Sequence, residues 1–359
     1  MIPRPLVVRF GALGDMVLLT TLIRHLHQRF NQPVDVVSSG PWTRPLLEDQ
    51  PGVGQLFVVG SRNTPYLISR EQQQLVKTLR QRGAGATWLC DYYHNDKIQG
   101  LLRRAGWTND YWCEQFALAD IRGPHFCDLW LRFAYRNPQV LGGNDLPSAA
   151  TDAWPTLRLS DVNKAQGVSW LATHRLDNKP LILIQAGNKR TMRRFGSRQR
   201  NTNTKYWPEQ NWAQVLRDLR LRHPQHAIVM LGVPSEAQLN ADIMQHAMID
   251  DIYNLAPEMT IPRLMLLCER AHGMITVDTG PAHVASSLGC KLVTLFGKAS
   301  PETYAPRGEN AVVKCLTGLH AGEVSMLGIT PAAVISAWSE VQSMRPASDA
   351  PELPRETSY

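Results

Sequence analysis

Five short segments of this chain set residues that can bind anions or move protons near the start of a helix, four of them beside glycine or proline. The first is Arg9-Phe10-Gly11-Ala12-Leu13-Gly14-Asp15, which follows the apolar run Leu6–Val8. A strand ends, two glycines turn the chain, and a helix begins. Gly11 and Gly14 let a ligand approach the backbone closely, but they make only half of a three-glycine dinucleotide fingerprint. Asp15 stands at the helix start, where a carboxylate commonly satisfies free amides. The carboxyl end of a sheet is also where ligands bind, and a carboxylate there can take a proton from a sugar hydroxyl. Spacing alone leaves both roles open.

The second segment is Val277-Asp278-Thr279-Gly280-Pro281-Ala282-His283. Here again a strand runs into a tight turn and a helix. Pro281 suits the first helical position, where its missing N–H costs nothing. The free amides of such a helix start suit a phosphate, and His283 lies within reach of the same anion. A lone helical histidine is more often structural, but its place behind Asp-Thr-Gly-Pro favours a functional role. Lys205-Tyr206-Trp207-Pro208 puts Lys205 before another helix, either as a point charge for a diphosphate or as an exposed lysine beside a packed tryptophan. In Gly232-Val233-Pro234-Ser235-Glu236, Ser235 is expected to cap a helix. Glu236 either complements that helix's dipole or accepts hydrogen bonds from ribose hydroxyls. Asp91-Tyr92-Tyr93-His94-Asn95-Asp96-Lys97 ends a further strand. His94 and Lys97 are contacts for an anionic acceptor there, unless the segment is only a capped helix start.

Between Lys189 and Lys205 the chain carries seven basic residues and no acidic one, Arg193 and Arg194 among them. A solvated loop accounts for this stretch; so does a lid that orders over an anionic ligand.

These segments need a scaffold that presents strand ends to a cleft. In the first half, Leu6–Phe10, Val34–Ser38, Gln55–Val59 and Ala86–Asp91 read as strands. Asp15–Phe30, Glu71–Arg82 and Asp96–Ala105 read as helices. The series restarts at Leu181–Ala186 and continues through strands Ala227–Gly232, Ile252–Leu255, Gly273–Val277 and Lys291–Phe296. Helices over Pro208–Arg222, Ser235–His246, Ile261–Ala271 and Pro281–Leu288 separate them. The strands are continuously apolar, as expected where both faces of a parallel sheet are covered. Strands alternating with helices, twice over, predict two doubly wound α/β domains. Residues 1–165 form the first and 166–344 the second, with a polar, proline-bearing boundary over Pro147–Asn178. Ile329–Met344 is a last helix with the option of packing back on the first domain, and residues 345–359 form a disordered tail.

Composition supports this class. Of 359 residues, 43% are hydrophobic and 19% charged, a globular balance. No apolar run approaches the roughly 20 residues of a membrane-spanning helix, and no export signal is read at the N-terminus. The six cysteines show no C-x-x-C pair and are expected to be reduced and buried, in a cytoplasmic protein. The histidines do not pair with cysteines at zinc spacing, so no metal site is expected. The net charge of +7 favours an anionic partner. Nucleic acid is set aside, because no helix-turn-helix, aromatic RNP set or zinc pattern accompanies that charge.

Taken in order, Arg-Phe-Gly-Ala-Leu-Gly-Asp-Met, Lys-Tyr-Trp-Pro, Gly-x-x-x-Glu, and Asp-Thr-Gly-Pro-Ala-His with Leu295-Phe296-Gly297 resemble the lipopolysaccharide heptosyltransferases, glycosyltransferase family 9. The resemblance spans roughly Val7 to Pro306. It implies a GT-B fold, two Rossmann-like domains facing a cleft, with the acceptor on the N-terminal half and the nucleotide sugar on the C-terminal half. By the same resemblance Asp15 is the catalytic base, and Lys205 lies near the donor phosphates. Glu236 lies near the ribose, and Asp278, Thr279, Gly280 and His283 form the donor turn. The implied reaction moves heptose from ADP-L-glycero-D-manno-heptose to a lipid-linked acceptor, Kdo-lipid A or inner core, with inversion and with neither metal nor cofactor. The chain has no Asp-x-Asp sequence, in keeping with that. A lipid acceptor implies transient contact with the cytoplasmic face of the inner membrane. The basic stretch 188–204 looks longer than is typical of the family. Two alternatives stand beside this reading. One is a GT-B transferase with another nucleotide sugar or a capsule, O-antigen or protein acceptor. The other is a relative that binds a nucleotide sugar without turnover.

Overall fold

Short apolar, β-branched runs become strands buried on both faces, and amphipathic stretches between them become the covering helices. A computed structural model describes residues 4–60, 64–91, 95–114, 124–147, 150–188 and 203–344. In the first half, β1 (Leu6–Arg9), β2 (Val34–Ser39), β3 (Val53–Val59), β4 (Thr87–Leu89) and β5 (Trp112–Glu114) form one parallel sheet in the order β3-β2-β1-β4-β5. Leu6 pairs with Asp35 on one side and Thr87 on the other. Helices α1 (Leu13–Phe30), α2 (Thr43–Leu47), α3 (Arg70–Arg82), α4 (Asn95–Arg104) and α5 (Phe126–Ala134) complete this half.

The second half opens with α6 (Asp161–Thr173). Its sheet contains β6 (Leu181–Gln185), β7 (Ala227–Met230), β8 (Ile252–Asn254), β9 (Ala271–Val277), β10 (Leu292–Leu295) and β11 (Val313–Leu316), in the order β11-β10-β9-β6-β7-β8. Between the strands lie α7 (Glu209–Arg222), α8 (Ala237–Ala247), α9 (Ile261–Arg270), α10 (Gly280–Ser287) and α11 (Pro301–Tyr304). A small hairpin, β12 (Leu319–His320) and β13 (Glu323–Val324), and α12 (Pro331–Ser343) follow. Both sheets are wound alike: the first strand lies inside, the chain winds outward to one side, then returns to the other. Their winding reverses between β1 and β4 and between β6 and β9, and ligands of open α/β sheets bind beside such reversals.

The halves are not separate in their packing. Val7, Leu19, Leu22 and Trp130 belong to one buried apolar cluster with Leu183, Met265, Leu267 and Ala282. Helix α1 lies between α5 and α10 and so belongs to that shared core.

Several elements differ from expectation. Helix α1 starts at Leu13, so Asp15 is its third residue. Strands β5 and β11 and helices α2 and α5 were not anticipated; β5 has three residues and α2 five, too few to show a period. Helix α6 occupies the stretch expected to be a linker. The Ser160 Oγ accepts from the Asn163 N–H (3.5 Å) and caps it. The helix runs unbroken through position 165/166, packs on α9 with Gly167 against Leu266, and joins Lys164 to Glu269 (2.7 Å). Among the described residues, helix α12 packs on α7, β10 and β11 rather than on the first half, with Lys314 and Glu340 paired at 2.7 Å. The tail 345–359 lies outside the described residues. All six cysteines are free, five of them buried; burial pushes the Cys113, Cys127 and Cys290 thiols up to about 12.

Candidate active site

At the first winding reversal, β1 ends on Arg9, a charged side chain only 6% exposed. Its guanidinium donates through Nη1 to the Cys90 carbonyl (2.5 Å) and Asp91 Oδ1 (3.3 Å), and through Nη2 to Asp15 Oδ1 (3.1 Å). It also lies 5.7 Å over the Trp130 ring. Asp91, just past β4, accepts the Phe10 N–H at 3.2 and 3.3 Å. The other oxygen of Asp15, Oδ2, accepts the Ala12 N–H (2.8 Å), a half capping box that settles one free amide of α1. The structural role foreseen for Asp15 is therefore real. Yet its side chain stays 38% exposed, leaving the carboxylate an open face. Glycine is required at position 11, since a Cβ there would meet the Asp15 Cβ at 2.5 Å.

At the second reversal, Asp278 leaves β9 with its N–H bonded to the Leu295 carbonyl (2.9 Å). The Lys205 ammonium reaches the Asp278 carbonyl (2.8 Å) and Oδ2 (2.5 Å). Lys205 is itself held from both sides. Its N–H donates to Asn203 Oδ1 (3.1 Å), and its carbonyl accepts from Asn188 Nδ2 (3.1 Å). Asn203 Nδ2 donates to Asn188 Oδ1 (3.2 Å). Thr279 is the extended N-cap of α10 and Gly280 its first residue, which moves Pro281 to the second position, where its lack of an N–H is still harmless. His283 is 6% exposed. Burial pushes its imidazole below the usual histidine range, against the pull of the Asp278 and Asp15 carboxylates. Its Nδ1 is buried with no hydrogen-bond partner among the described residues.

Glu236 closes a single 3-10 turn, Pro234–Glu236, before α8. It is 4% exposed, and its Oε2 accepts from the Val233 N–H (3.0 Å) and Gln185 Nε2 (3.2 Å). Burial raises its pKa while those two bonds oppose the rise. Ser235 does not cap the helix as expected: it is exposed, and the Glu236 carboxylate takes the free amide instead. Gly187 makes room for this carboxylate, because a Cβ there would meet Oε1 at 2.6 Å.

The two glycine turns meet. A Cβ on Gly14 would stand 2.8 Å from His283 Cδ2 and 3.4 Å from the Gly280 Cα; one on Gly280 would stand 2.9 Å from the Leu13 Cβ and 3.1 Å from the Gly14 N. Only two residues without side chains let the first turns of α1 and α10 approach this closely. Three further contacts tie the halves beside them. His125 Nε2 donates to the Ala305 carbonyl (2.7 Å), Arg307 pairs with Asp128 (2.8 Å), and Phe126 stacks on Tyr304 at 5.0 Å. His125 Nδ1 also accepts the Cys127 N–H (3.1 Å) as the N-cap of α5, which assigns the ring as neutral with its proton on Nε2. Burial pushes its pKa down to about 4.

The structure thus gathers Gly11, Gly14, Asp15, Gly280 and His283 at one junction, with Lys205, Asp278 and Thr279 at the same strand ends. Glu236 follows β7, which lies two strands from β9, beyond β6. Lys97 is exposed in the first turn of α4, while His94, Arg193 and Arg194 lie outside the described residues. Sequence reasoning missed Arg9 and Asp91, although a charge closing an apolar strand is a usable signal. It also missed the Asn188–Asn203 clasp and His125, whose partners are distant in the chain.

This arrangement, a cation and a helix start on one sheet facing a carboxylate on the other, suits displacement of a diphosphate leaving group. Comparison with known proteins agrees. The family model described as "Glycosyltransferase family 9 (heptosyltransferase)" matches residues 160–329. Lipopolysaccharide heptosyltransferase 2 of Salmonella typhimurium is 24% identical over 353 residues, covering 92% of this chain and 96% of the relative. Among solved structures, the Escherichia coli ADP-heptose LPS heptosyltransferase II superposes with TM-score 0.71 at 22% identity, over 94% of this chain and 98% of that one. The family 9 glycosyltransferase of Veillonella parvula superposes with TM-score 0.74 at 18% identity, over 95% and 97%. The fold is GT-B, two Rossmann-like units facing each other, and the chain is similar to the family 9 glycosyltransferases along nearly its whole length.

Proposed function

We propose that this glycosyltransferase moves heptose from ADP-L-glycero-D-manno-heptose to a lipopolysaccharide core acceptor, with inversion and without a metal. The observation that carries the reading is the junction of the two turns, which sets the Asp15 carboxylate within electrostatic reach of His283. The C-terminal half takes the nucleotide sugar. Lys205, the free amides at the start of α10 and His283 face its diphosphate, and Glu236 accepts from its ribose. As the anomeric bond breaks, charge grows on the diphosphate, and fixed cations and amides aimed there favour the transition state. The acceptor hydroxyl approaches from the opposite half, and Asp15 takes its proton. Attack from that face in one displacement inverts the anomeric centre.

Asp15 enters the reaction with one oxygen accepting from Arg9 and the other from the Ala12 N–H. Proton transfer comes late, once the anomeric carbon has become electron-poor and has acidified the attacking hydroxyl. The acceptor is lipid-linked, and the enzyme works at the cytoplasmic face of the inner membrane as a peripheral protein. Among the described residues no helix is long and apolar enough to cross a membrane. Leu67 and Ile68, 85% and 74% exposed, follow β3 at the strand ends that face the junction, and the Arg104 guanidinium lies 4.8 Å over neighbouring Tyr66. Apolar tips flanked by cations suit an anionic lipid surface.

The test is mass spectrometry of products from the purified chain, ADP-heptose and a set of truncated core acceptors, with and without EDTA. Heptose addition that survives EDTA is expected. Intact donor with every acceptor, or tighter binding of a UDP- or GDP-sugar, would assign the chain to another transfer or to binding without turnover. Asp15→Ala should lower turnover about 10²- to 10⁴-fold, as for loss of a general base, and leave ADP affinity nearly unchanged. Unaltered turnover removes Asp15 from the mechanism.

A further inference from the structure

Three histidines gather at the amino-terminal end of the second sheet, opposite the strand ends that carry the junction. His223 follows α7, His226 precedes β7, and His272 is the second residue of β9. One ring nitrogen from each lies within 4.8 Å of those from the other two. Ring centroids are 4.9 Å apart for His223 and His226, 4.7 Å for His226 and His272, and 5.4 Å for His223 and His272.

Separate features of the backbone bring them together. The His226 N–H donates to the His223 carbonyl (3.1 Å), a tight turn that sets the first two rings side by side. Along β9, Leu181 pairs with Ala271 and Ile182 with Gly273, so His272 is the extra residue of a β-bulge. A bulge re-aims the side chain it carries, here towards the other two imidazoles. The next residue, Gly273, has no space for a side chain, because a Cβ would stand 2.8 Å from the Trp338 ring and from Gln342 Nε2. Trp338 in turn donates its indole N–H to His223 Nε2 (2.9 Å). Turn, bulge, glycine and tryptophan together make a built site.

We propose that His223, His226 and His272 bind one divalent transition-metal ion of the zinc, nickel or copper class, remote from the transferase junction. The chemistry of the donors sets that class. Three imidazoles without a carboxylate suit zinc, nickel and copper and do not suit magnesium, calcium or manganese. Burial pushes all three rings below the usual histidine range, His226 to about 4, so each is neutral and has a lone pair to offer at neutral pH. Arg220, Arg222 and Lys291 lie close enough to act on these rings. Their charge weakens the pull on any cation held only electrostatically and leaves the direct metal–nitrogen bonds as the basis of selection. The rings close in modestly to reach bonding distance. The His223 nitrogen that now accepts from Trp338 holds that ring's lone pair, so coordination by His223 displaces or reorients the indole hydrogen bond. Occupancy would fasten the start of β7 and the start of β9 to each other and bear on α12 through Trp338. The predicted role is structural.

The experiment uses the full chain with any affinity tag removed, stripped by a chelator and dialysed. Zn²⁺ is titrated against a chromophoric competitor, Co²⁺ is followed by its visible absorption, and thermal melting is recorded with and without Zn²⁺. One equivalent per chain with Kd below about 10 μM is expected, together with a raised Tm. His272→Gln, at the one exposed ring of the three, should weaken binding at least about tenfold and abolish the rise. His226→Asn should do the same, and His320→Gln, in the distant hairpin, should do neither. Substoichiometric or weaker-than-100 μM binding, or equal binding by His272→Gln, overturns the proposal. Turnover plays no part in these readouts, so they stand or fall independently of the transferase reading.

Discussion

Gly14→Ala tests the junction most directly, because it adds a single methyl where the two halves touch. The new Cβ stands 2.8 Å from His283 Cδ2, whereas carbon atoms rest at about 3.5–4.0 Å. The shortfall is roughly 0.7–1.2 Å by that measure. Either the His283 ring gives way or α1 and α10 move apart. The ring is buried and boxed in, so much of the displacement falls on the two helix starts. Overpacking of this kind costs about 1–3 kcal/mol. Position 14 is helical, however, and alanine stabilises a helix by about 1 kcal/mol over glycine. The net change in folding stability should be about 2 kcal/mol or less, a small shift in Tm. Catalysis should suffer far more: a misplacement of about 1 Å between reacting groups can cost about 10²-fold in rate. The assay pairs thermal melting with kcat for the transfer, in the wild type, Gly14→Ala, His283→Ala and the double variant. Removing the imidazole vacates the space that the methyl needs, so the Gly14→Ala penalty should shrink in the His283→Ala background. A kcat for Gly14→Ala within twofold of wild type, or an equal penalty in both backgrounds, would refute the claim that this contact sets the catalytic geometry.

Two further outcomes are expected. Asn203→Ala removes the bond that fixes the Lys205 N–H and the strut to Asn188, each worth about 1 kcal/mol. Steady-state kinetics should show donor KM raised by up to about thirtyfold by that measure with little change for the acceptor, and an unchanged donor KM would release the clasp from any role in placing Lys205. His125 has a folded pKa of about 4, below the unfolded value near 6.5. The unfolded chain therefore binds the proton first, and stability falls as pH drops from about 6.5 to about 4, by up to about 3 kcal/mol. Denaturant melts across that range should show a shallower pH slope in His125→Asn, which retains an N-capping side chain without a titrating ring. An unchanged slope would assign the acid sensitivity to other groups.

Much of this was legible in the sequence where one local device fixes one feature. Glycines 11 and 14 and the run Asp278–Pro281 mark strand-to-helix turns whatever surrounds them, and apolar β-branched runs such as Leu181–Ile184 are strands because both faces must be covered. What escaped depended on elements too short to show a period or on partners distant in the chain. Trp112-Cys113-Glu114 becomes a strand only because β4 offers an edge to pair with. Helix α6 was concealed by its largely exposed surface, although Ser160-Asp161 is a sound helix start. The reach of Arg9 across to Asp91, and of His125 to Ala305, follows from topology that no local pattern encodes. The histidine trio is hidden for a related reason: zinc spacing along a sequence pairs histidine with cysteine, whereas here a β-bulge brings His272 to the other two.

The pairing of Lys205 with Asp278 has a consequence for turnover. The ammonium rests on a carboxylate and a carbonyl. Under the proposed donor placement, a diphosphate has to outcompete that internal anion, so the grip on nucleotide is looser than a solitary lysine would give. The same rivalry hastens departure. In that scheme Asp278 reclaims the lysine from the spent nucleoside diphosphate, favouring rapid exchange of product for fresh donor over tight retention.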